Sequence, residues 1–411
     1  MAYGSGKADE ELWHGWEQFC DHLRNAGRLA FKDFNPPSPL HRADAFRFLT
    51  QNVGQAFDLA LETRDPRYPQ IHTFTHASRK LGADAADFLY QQAWIDGTNA
   101  YRIAGTKGTA RFFNVTVQGP RPATNPANGA PSLHEPFGDI PEANLFGNQI
   151  EATADGSFEL FIGGPERPTN WLPTTAGSRK LFIRQGFDRW DETPWRLHIE
   201  RIGMGSPRPL PLPADMTAAF DWAGQFVTGL MRDWPDHSYA HSGGVVDPSQ
   251  PNHFPAPPQS GDGDAQRGRA VAAMVWELQP DQALIISFTP DDSFWMASLG
   301  GTFMNSYDYL YRPVSYTPSR AAVDADGKVR LVLCARDPGY WNWLDSCGFE
   351  QGNLTVRTLL KASGPLIDTQ LVTMADLPNA LPAETRTATP DERTTLMLER
   401  FRGVQRQRLG I

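Results

Sequence analysis

The chain has 411 residues, more than one ordinary hydrophobic core can organise, so two or three domains are expected. A composition of 40% hydrophobic and 21% charged residues excludes wholesale disorder and fibrous repeats. The net charge of −9 argues against a nucleic-acid partner, because binding a phosphate backbone requires a concentrated positive surface. No apolar run reaches the roughly 18 residues that cross a membrane, so no membrane partner is expected.

The first residues and the cysteines bear on cellular location. Residues 1–11 lack the apolar segment of a secretion signal. The three cysteines, Cys20, Cys334 and Cys347, are odd in number and contain no CxxC spacing. Such a set fits free thiols in a reducing compartment, and a cytoplasmic location is therefore expected.

Residues 1–88 are predicted to form a helical segment. Apolar residues recur every three or four positions from Leu12 to Leu23 and again from Phe46 to Ala60, as they do along one face of a helix. Gly27 is the expected end of the first helix, and the proline-rich stretch 36–39 separates it from the second.

Residues 89–205 change to short, strand-like runs that predict a first β-sandwich unit. The runs 91–95 and 100–104 flank Asp96-Gly97, a dipeptide that readily takes the positive φ values of tight turns. A β-hairpin is predicted there.

Residues 206–268 predict a bridging helix, from about Met216 to Trp234 and ended by Pro235, followed by a long loop. The loop, 236–268, is rich in Pro, Gly, Ser and Asp, and it is a candidate lid over a cleft. Strands resume over 269–375 as a second β-sandwich unit. Residues 376–411 read as a tail that ends in a charged helix from about Pro390 to Leu409.

An internal repeat links the two strand-rich regions. Asp155-Gly156, Asn170-Trp171-Leu172 and the strand ending at Arg184 return as Asp326-Gly327, Asn342-Trp343-Leu344 and the strand ending at Arg357. The offset grows only from 171 to 173, so the spacing is nearly constant. Because repeated supersecondary units imply repeated folds, we predict a mainly β chain with flanking helices (α+β). It comprises two antiparallel β-sandwich or jelly-roll-like units plus N-terminal, bridging and C-terminal helices.

These motifs resemble the bacterial domain-of-unknown-function family twelve-fourteen, which is often found beside the family numbered twelve fifty-four. The resemblance rests on Asp155-Gly156, Asn170-Trp171-Leu172-Pro173 and Arg184, with their echo in the second copy, and it spans most of residues 90–375. It implies a paired jelly-roll fold similar to that of peptide-N-glycosidase F. The family has no general activity, so the resemblance assigns no catalytic residue.

The repeated Asn-Trp motif has two interpretations. Trp171 and Trp343 are candidates to stack on a ligand ring, with Asn342 as a polar contact. Alternatively, the tryptophans belong to the cores and the asparagines seal turns through backbone hydrogen bonds. Arg184 ends a strand in the first copy, where it would hold an anionic group of a ligand or an internal acid.

Acids that differ between the copies are the candidate catalytic groups. Asp308 lies between Tyr307 and Tyr309, which together with Trp295 are expected to line an aromatic pocket. A carboxylate in such a pocket has a raised pKa and suits general acid catalysis, with Asp345 or Glu151 as its partner. The alternative is that Asp308 is an ordinary surface acid.

No cofactor or metal is expected. Two histidine pairs, His72 with His76 and His237 with His241, lack the HExxH context of a metal site. The sequence also contains no Gly-x-Ser-x-Gly elbow, complete phosphate loop or dinucleotide fingerprint.

The sequence therefore predicts a cofactor-independent hydrolase or lyase that acts on a carbohydrate or another neutral, ring-containing small molecule in a cleft between the units. The alternative is a non-catalytic protein that binds a glycan or apolar small molecule. Either is compatible with a homo-oligomer.

Overall fold

The computed structural model describes residues 6–120, 139–239, 246–254 and 268–409. Its helices are α1 (Lys7–Leu29), α2 (Pro39–Phe57), α3 (Pro213–Met231), α4 (Asp233–Ser238), α5 (Leu377–Ala380) and α6 (Pro390–Val404). The first strands are β1 (His72–Thr75), β2 (Phe88–Trp94), β3 (Tyr101–Thr106), β4 (Phe112–Gly119), β5 (Ile140–Phe146), β6 (Ser157–Ile162), β7 (Trp171–Leu172), β8 (Lys180–Gly186) and β9 (Arg196–Arg201). The later strands are β10 (Arg269–Glu277), β11 (Gln282–Phe288), β12 (Phe294–Gly300), β13 (Ser315–Tyr316), β14 (Val329–Cys334), β15 (Trp343–Asp345), β16 (Gln351–Leu359) and β17 (Asp368–Thr373).

The α+β class and the two-sandwich layout are confirmed. In the first unit, a sheet of order β1-β2-β8-β4-β5 and a sheet of order β7-β6-β3-β9 enclose a core that contains Ile103, Val115 and Leu160. In the second unit, sheets of order β10-β16-β12-β13 and β15-β14-β11-β17 enclose Trp276 and Leu331.

The internal repeat is visible in the strand order. Strands β2-β8-β4 correspond to β10-β16-β12, and β7-β6-β3-β9 correspond to β15-β14-β11-β17. Each unit also contains one parallel strand pair in a sheet that is otherwise antiparallel. These pairs are β7 with β6 and β15 with β14. The near-constant sequence offset therefore reflects one topology used twice.

The predicted hairpin at 91–104 is wrong. β2 pairs with β1 and β8, whereas β3 pairs with β6 and β9 in the facing sheet, so the turn at Asp96-Gly97 carries the chain from one sheet to the other. β10 and β11 likewise lie in different sheets. The strands on both sides of the turn point apolar side chains into the core of the first sandwich. This shared core favours placing the strands in two facing sheets over pairing them in one sheet.

The observed boundaries of the helices differ from the predicted ones. α1 continues through Gly27 to Leu29, so the predicted stop at Gly27 is wrong. α2 begins at Pro39, where the Ser38 hydroxyl accepts from the His41 amide at 3.3 Å, since proline suits the first helical position and serine the cap. The segment predicted to be helical also supplies β1.

A third core joins the helices to both sandwiches. α1, α2 and α3 pack against the outer face of the first unit through Phe88 and Phe112 and against that of the second through Phe294 and Met296. Gly186 lies at this seam, where a Cβ atom would approach Phe294 and Phe88 to 3.0 and 2.9 Å. The seam expected between the units exists, and the helices cover it.

Two buried carboxylates clamp the units together. Asp87, with no exposed surface, forms an ion pair with Arg320 at 2.6 Å and accepts from the Ser315 hydroxyl at 3.2 Å. Asp188, which is 2% exposed, accepts from the amide and hydroxyl of Ser319 at 2.9 and 2.6 Å. We call this set the interunit clamp.

The end of the chain packs against the same region. The predicted C-terminal helix is present as α6, whose Thr389 cap forms a reciprocal capping box with Glu392. A π-helical turn, Gln405–Leu409, follows it. There Arg408 Nη2 donates to the carbonyl oxygen of Ala86 at 2.7 Å, beside Asp87.

The loop predicted for 236–268 lies largely outside the described residues. Within 246–254, the side chains of Val246 and Phe254 are buried against the second unit. The lid prediction stays a prediction.

Replacing Asp87 by Asn should destabilise the fold by about 3–5 kcal/mol, because it leaves the buried guanidinium of Arg320 without its counter-charge. Urea unfolding followed by tryptophan fluorescence measures this loss. Asp292→Asn is the control, since Asp292 is 94% exposed and its ion pair with Lys361 is a surface contact. Equal stability of the two variants would contradict the importance of the clamp.

Candidate active site

The asparagines of the repeated motif are bound to backbone. Asn170 donates to the carbonyl oxygen of Glu151 and accepts from its amide, both at 2.8 Å. Asn342 repeats this pattern with Ala322, also at 2.8 Å in both directions. Each amide makes a further donation to a strand carbonyl, at 2.9 and 3.0 Å. These contacts favour the turn-sealing interpretation of Asn342 over ligand binding.

The tryptophans predicted to bind substrate are held by similar contacts. The indole nitrogens of Trp171 and Trp343 each donate to a backbone carbonyl oxygen at 3.1 Å, that of Gly163 and that of Cys334 respectively. Trp295 is 1% exposed and packs edge-on against a phenylalanine inside the second sandwich. Its burial places Trp295 in the core rather than on a cavity wall.

Arg184 lies at the seam. It is 1% exposed, and its Nε donates to Asn114 Oδ1 at 3.2 Å. With Gln92, Phe182 and Phe226 it lines a cavity of about 180 Å³ between the first sandwich and α3, which we call the seam cavity.

Glu151 does not meet the other predicted acids. It is exposed and lines an open depression of about 1130 Å³ on the first unit, together with Glu159 and His198. Asp308 lines a different cavity, against the second unit. The predicted pairing of Glu151 with Asp308 therefore does not form.

Asp308 and Tyr307 line a cavity of about 330 Å³ between α2 and the second unit, which we call the amine cavity. Tyr307 stacks on Phe349 with ring centroids 4.7 Å apart and nearly parallel planes, and the tyrosine hydroxyl donates to the Gln351 carbonyl at 3.2 Å. Asp308 Oδ1 accepts from the amide of Leu310 at 3.2 Å. The role of both residues as site residues stays a prediction.

Lys80 is the central group that the sequence did not indicate. It is only 3% exposed, and its Nζ donates to the Tyr307 carbonyl at 3.3 Å and lies 3.3 Å from the centroid of the Tyr309 ring. Burial lowers the pKa of Lys80 to about 7, although Asp84 and Asp308 oppose the shift. A lysine of this kind exchanges its proton near neutral pH and can act as a base.

Asp44 supplies a second carboxyl group to the amine cavity from α2. Burial raises the pKa of Asp44, although its Oδ2 accepts from Asn305 Nδ2 at 3.0 Å. The cavity therefore contains a lysine whose pKa is lowered by burial and an aspartic acid whose pKa is raised by burial, the opposed shifts that characterise acid–base sites.

Asp345 lies behind the wall of this cavity. It is 3% exposed and forms an ion pair with Arg312 at 2.7 Å, while its Oδ1 accepts from the Cys347 amide at 2.7 Å. Arg312 and Cys347 both line the cavity. Burial raises the pKa of the Cys347 thiol well above its usual value, so this sulfur is protonated at neutral pH. Asp345 thus orients Arg312.

Strained backbone occurs close in the chain to Lys80 and Asn305, two residues that line the amine cavity. Ala83 and Met304 both have φ of 56°, a left-handed conformation that costs non-glycine residues free energy, and the Ala83 amide donates to the Met304 carbonyl at 2.6 Å. Nearby, a Cβ atom on Gly301 would lie 2.7 Å from Asn305 Oδ1, so only glycine fits. Such strain is concentrated at functional sites.

Metal ligands do not cluster in the described part of the chain, where no group of three or more His, Cys, Asp or Glu side chains is placed to hold an ion. Burial lowers the pKa of His72 and of His76, the latter to about 4. The side chains of His237 and His241 lie outside the described residues. In the described ranges, no helix combines the length and apolarity needed to cross a bilayer.

Comparisons with known proteins give similarity without an activity. Residues 87–185 match a family described as "Protein of unknown function (DUF1214)", a shorter stretch than the resemblance anticipated. An uncharacterized protein from Burkholderia cenocepacia has a similar crystal structure, with 29% identity and a TM-score of 0.78 over 90% of this chain and 99% of that one. The VPA0106 protein from Vibrio parahaemolyticus is 12% identical, with a TM-score of 0.41, over 84% of this chain and 100% of that one. No curated protein matches the sequence.

The pH dependence of stability should report on Lys80. Because its pKa is about 7 in the folded state and near the usual 10.4 when unfolded, the unfolded chain binds more protons between these values, and stability rises with pH there. Relative to Lys80→Met, the wild-type protein should gain about 2 kcal/mol between pH 7 and pH 9.

Urea unfolding at the two pH values measures the gain. Lys328→Met, which removes a lysine from a surface turn, is the matched control and should show the same pH dependence as the wild type. A Lys80→Met variant that also follows the wild type would refute the low pKa.

Proposed function

We propose that this chain is an acid–base enzyme, a hydrolase or lyase that needs no organic cofactor, and that the amine cavity is its active site. The observation that carries the proposal is the placement of the buried amine of Lys80 beside Asp308 and Asp44 in one cavity. In this assignment Lys80 accepts a proton from the substrate or from water and then returns it to the leaving group. Asp308 stabilises the positive charge that Lys80 gains.

The walls of the cavity support a small, neutral, ring-containing substrate. A volume of about 330 Å³ suits a monosaccharide-sized molecule. Tyr307 and Phe349 form an aromatic wall against which a ring can stack. The acids Asp44 and Asp308 are balanced by basic groups of the same cavity, so no large net charge demands an ionic substrate.

A second candidate is a binding protein that turns nothing over. The seam cavity favours it, because that cavity combines aromatic and aliphatic walls with converging polar and charged groups, among them Arg184 and Gln92. A binder would be stabilised by its ligand and release it unchanged.

The proposal also includes three more specific expectations from the sequence. They are the likeness of the paired sandwiches to peptide-N-glycosidase F, the association with family twelve fifty-four, and a cytoplasmic location. The free state of Cys20, Cys334 and Cys347 supports the last of these. A homo-oligomer is compatible with the same proposal.

The test begins with a thermal-shift screen against sugars, terpenoids, sterols and aromatic acids, followed by mass spectrometry of each stabilising mixture to detect product. With a substrate in hand, Lys80→Met and Asp308→Asn should each lower kcat/KM by about 10²–10⁴-fold. In the wild type, kcat/KM should rise with pH to a plateau, with its midpoint at about 7 where Lys80 loses its proton.

Glu151→Gln is the control, since the sequence offered Glu151 as a catalytic partner of Asp308 but the residue lies outside the amine cavity. It should retain full turnover. Full turnover by Lys80→Met would overturn the proposal, and a stabilising ligand that is never converted would favour the binding protein.

A further inference from the structure

A second cavity, separate from the amine cavity, lies beneath α6. It has a volume of about 460 Å³ and is bounded by α6, by residues 189–191 after β8 and by residues 313–321 around β13. Nothing in the proposed function uses it. We call it the arginine cavity.

The lining of the arginine cavity is strongly basic in a protein that is acidic as a whole. Seven arginines line it, against two carboxylates, Asp191 and Glu399. Four of the arginines have a carboxylate within 4 Å. These pairs are Arg189 with Asp191, Arg320 with Asp87, Arg386 with Glu392 and Arg393 with Asp337.

The other three arginines, Arg400, Arg402 and Arg406, have no carboxylate within ion-pair distance in the described part of the chain. Arg406 donates to the Trp190 carbonyl at 2.8 Å, and Arg402 is exposed at the mouth of the cavity. Arg400 is 5% exposed, and its Nη2 donates to the carbonyl of Ser315 at 2.8 Å. Their three positive charges are opposed at longer range by Asp87, which acts on Arg400, and by Glu399 in the cavity lining, so an excess of positive charge remains.

One aromatic ring packs against two of the guanidinium groups that line the cavity. Arg320 and Arg400 lie over the Trp190 ring, 4.1 and 4.9 Å from its centroid. Burial, and to a smaller extent the neighbouring Arg320, lowers the pKa of Arg400 to about 10, although Asp87 opposes the shift. The lowered pKa reflects mainly the cost of taking this guanidinium group out of water. An anion in the cavity would remove that cost.

We propose that the arginine cavity binds a phosphate ester of a ring-containing small molecule, such as a nucleoside or sugar phosphate. Guanidinium forks match the oxygens of a phosphate group, and a dianion offsets the excess positive charge of Arg400, Arg402 and Arg406. The volume exceeds that of inorganic phosphate, which leaves room for the ring beside Trp341 and Tyr316.

The test is titration calorimetry of the full chain with adenosine 5′-monophosphate, adenosine, inorganic phosphate and citrate. The monophosphate should bind, more weakly as salt rises, and adenosine should not. Arg402→Gln should weaken monophosphate binding about tenfold, the effect of losing one charge-assisted hydrogen bond.

Arg28→Gln is the matched control, because Arg28 and Arg402 both lie in the last turn of a helix and both carry one charge. It should bind like the wild type, and its melting temperature corrects for the loss of a charge near a helix C-terminus. No binding of the monophosphate, tighter binding of citrate, or equal weakening by both variants would each overturn the proposal.

Discussion

The relative position of the two sandwiches depends on the interunit clamp. Asp87 and Asp188 lie at the ends of the seam-facing strands of the first unit. They form hydrogen bonds and an ion pair with Ser315, Ser319 and Arg320 of the second unit. A carboxylate taken out of water must be paired and hydrogen-bonded, so neither unit can shift without exposing an uncompensated charge. Both candidate cavities are bounded by elements that this clamp fixes.

The amine cavity exists because three parts of the chain meet. The loop between β1 and β2 carries Lys80, α2 carries Asp44, and the segment after β12 carries Asp308. The third core presses α2 against the seam, and the hydrogen bond between Ala83 and Met304 joins the two strained loops. Packing thus keeps an amine from water at the point where two carboxyl groups face it.

Sequence patterns predicted what is local or repeated, and missed what depends on packing. The duplication of one β-sandwich unit was predicted from the repeat, whereas the placement of β2 and β3 in facing sheets was not, because the turn at Asp96-Gly97 suits a connection between facing sheets as well as a hairpin. Asp308 and Tyr307 were found since they are sequence neighbours. Lys80 was not, because nothing in its local sequence separates a buried lysine from a surface one.

The turns that carry the chain from one sheet to the facing sheet affect how the protein folds. Since β2 pairs with β8 and β10 with β16, neither sandwich can form its seam-facing sheet until distant strands have been synthesised and brought together. Loop closure of this kind is entropically costly before any contact repays it, and folding rates fall as contacts become less local. The chain should therefore fold slowly.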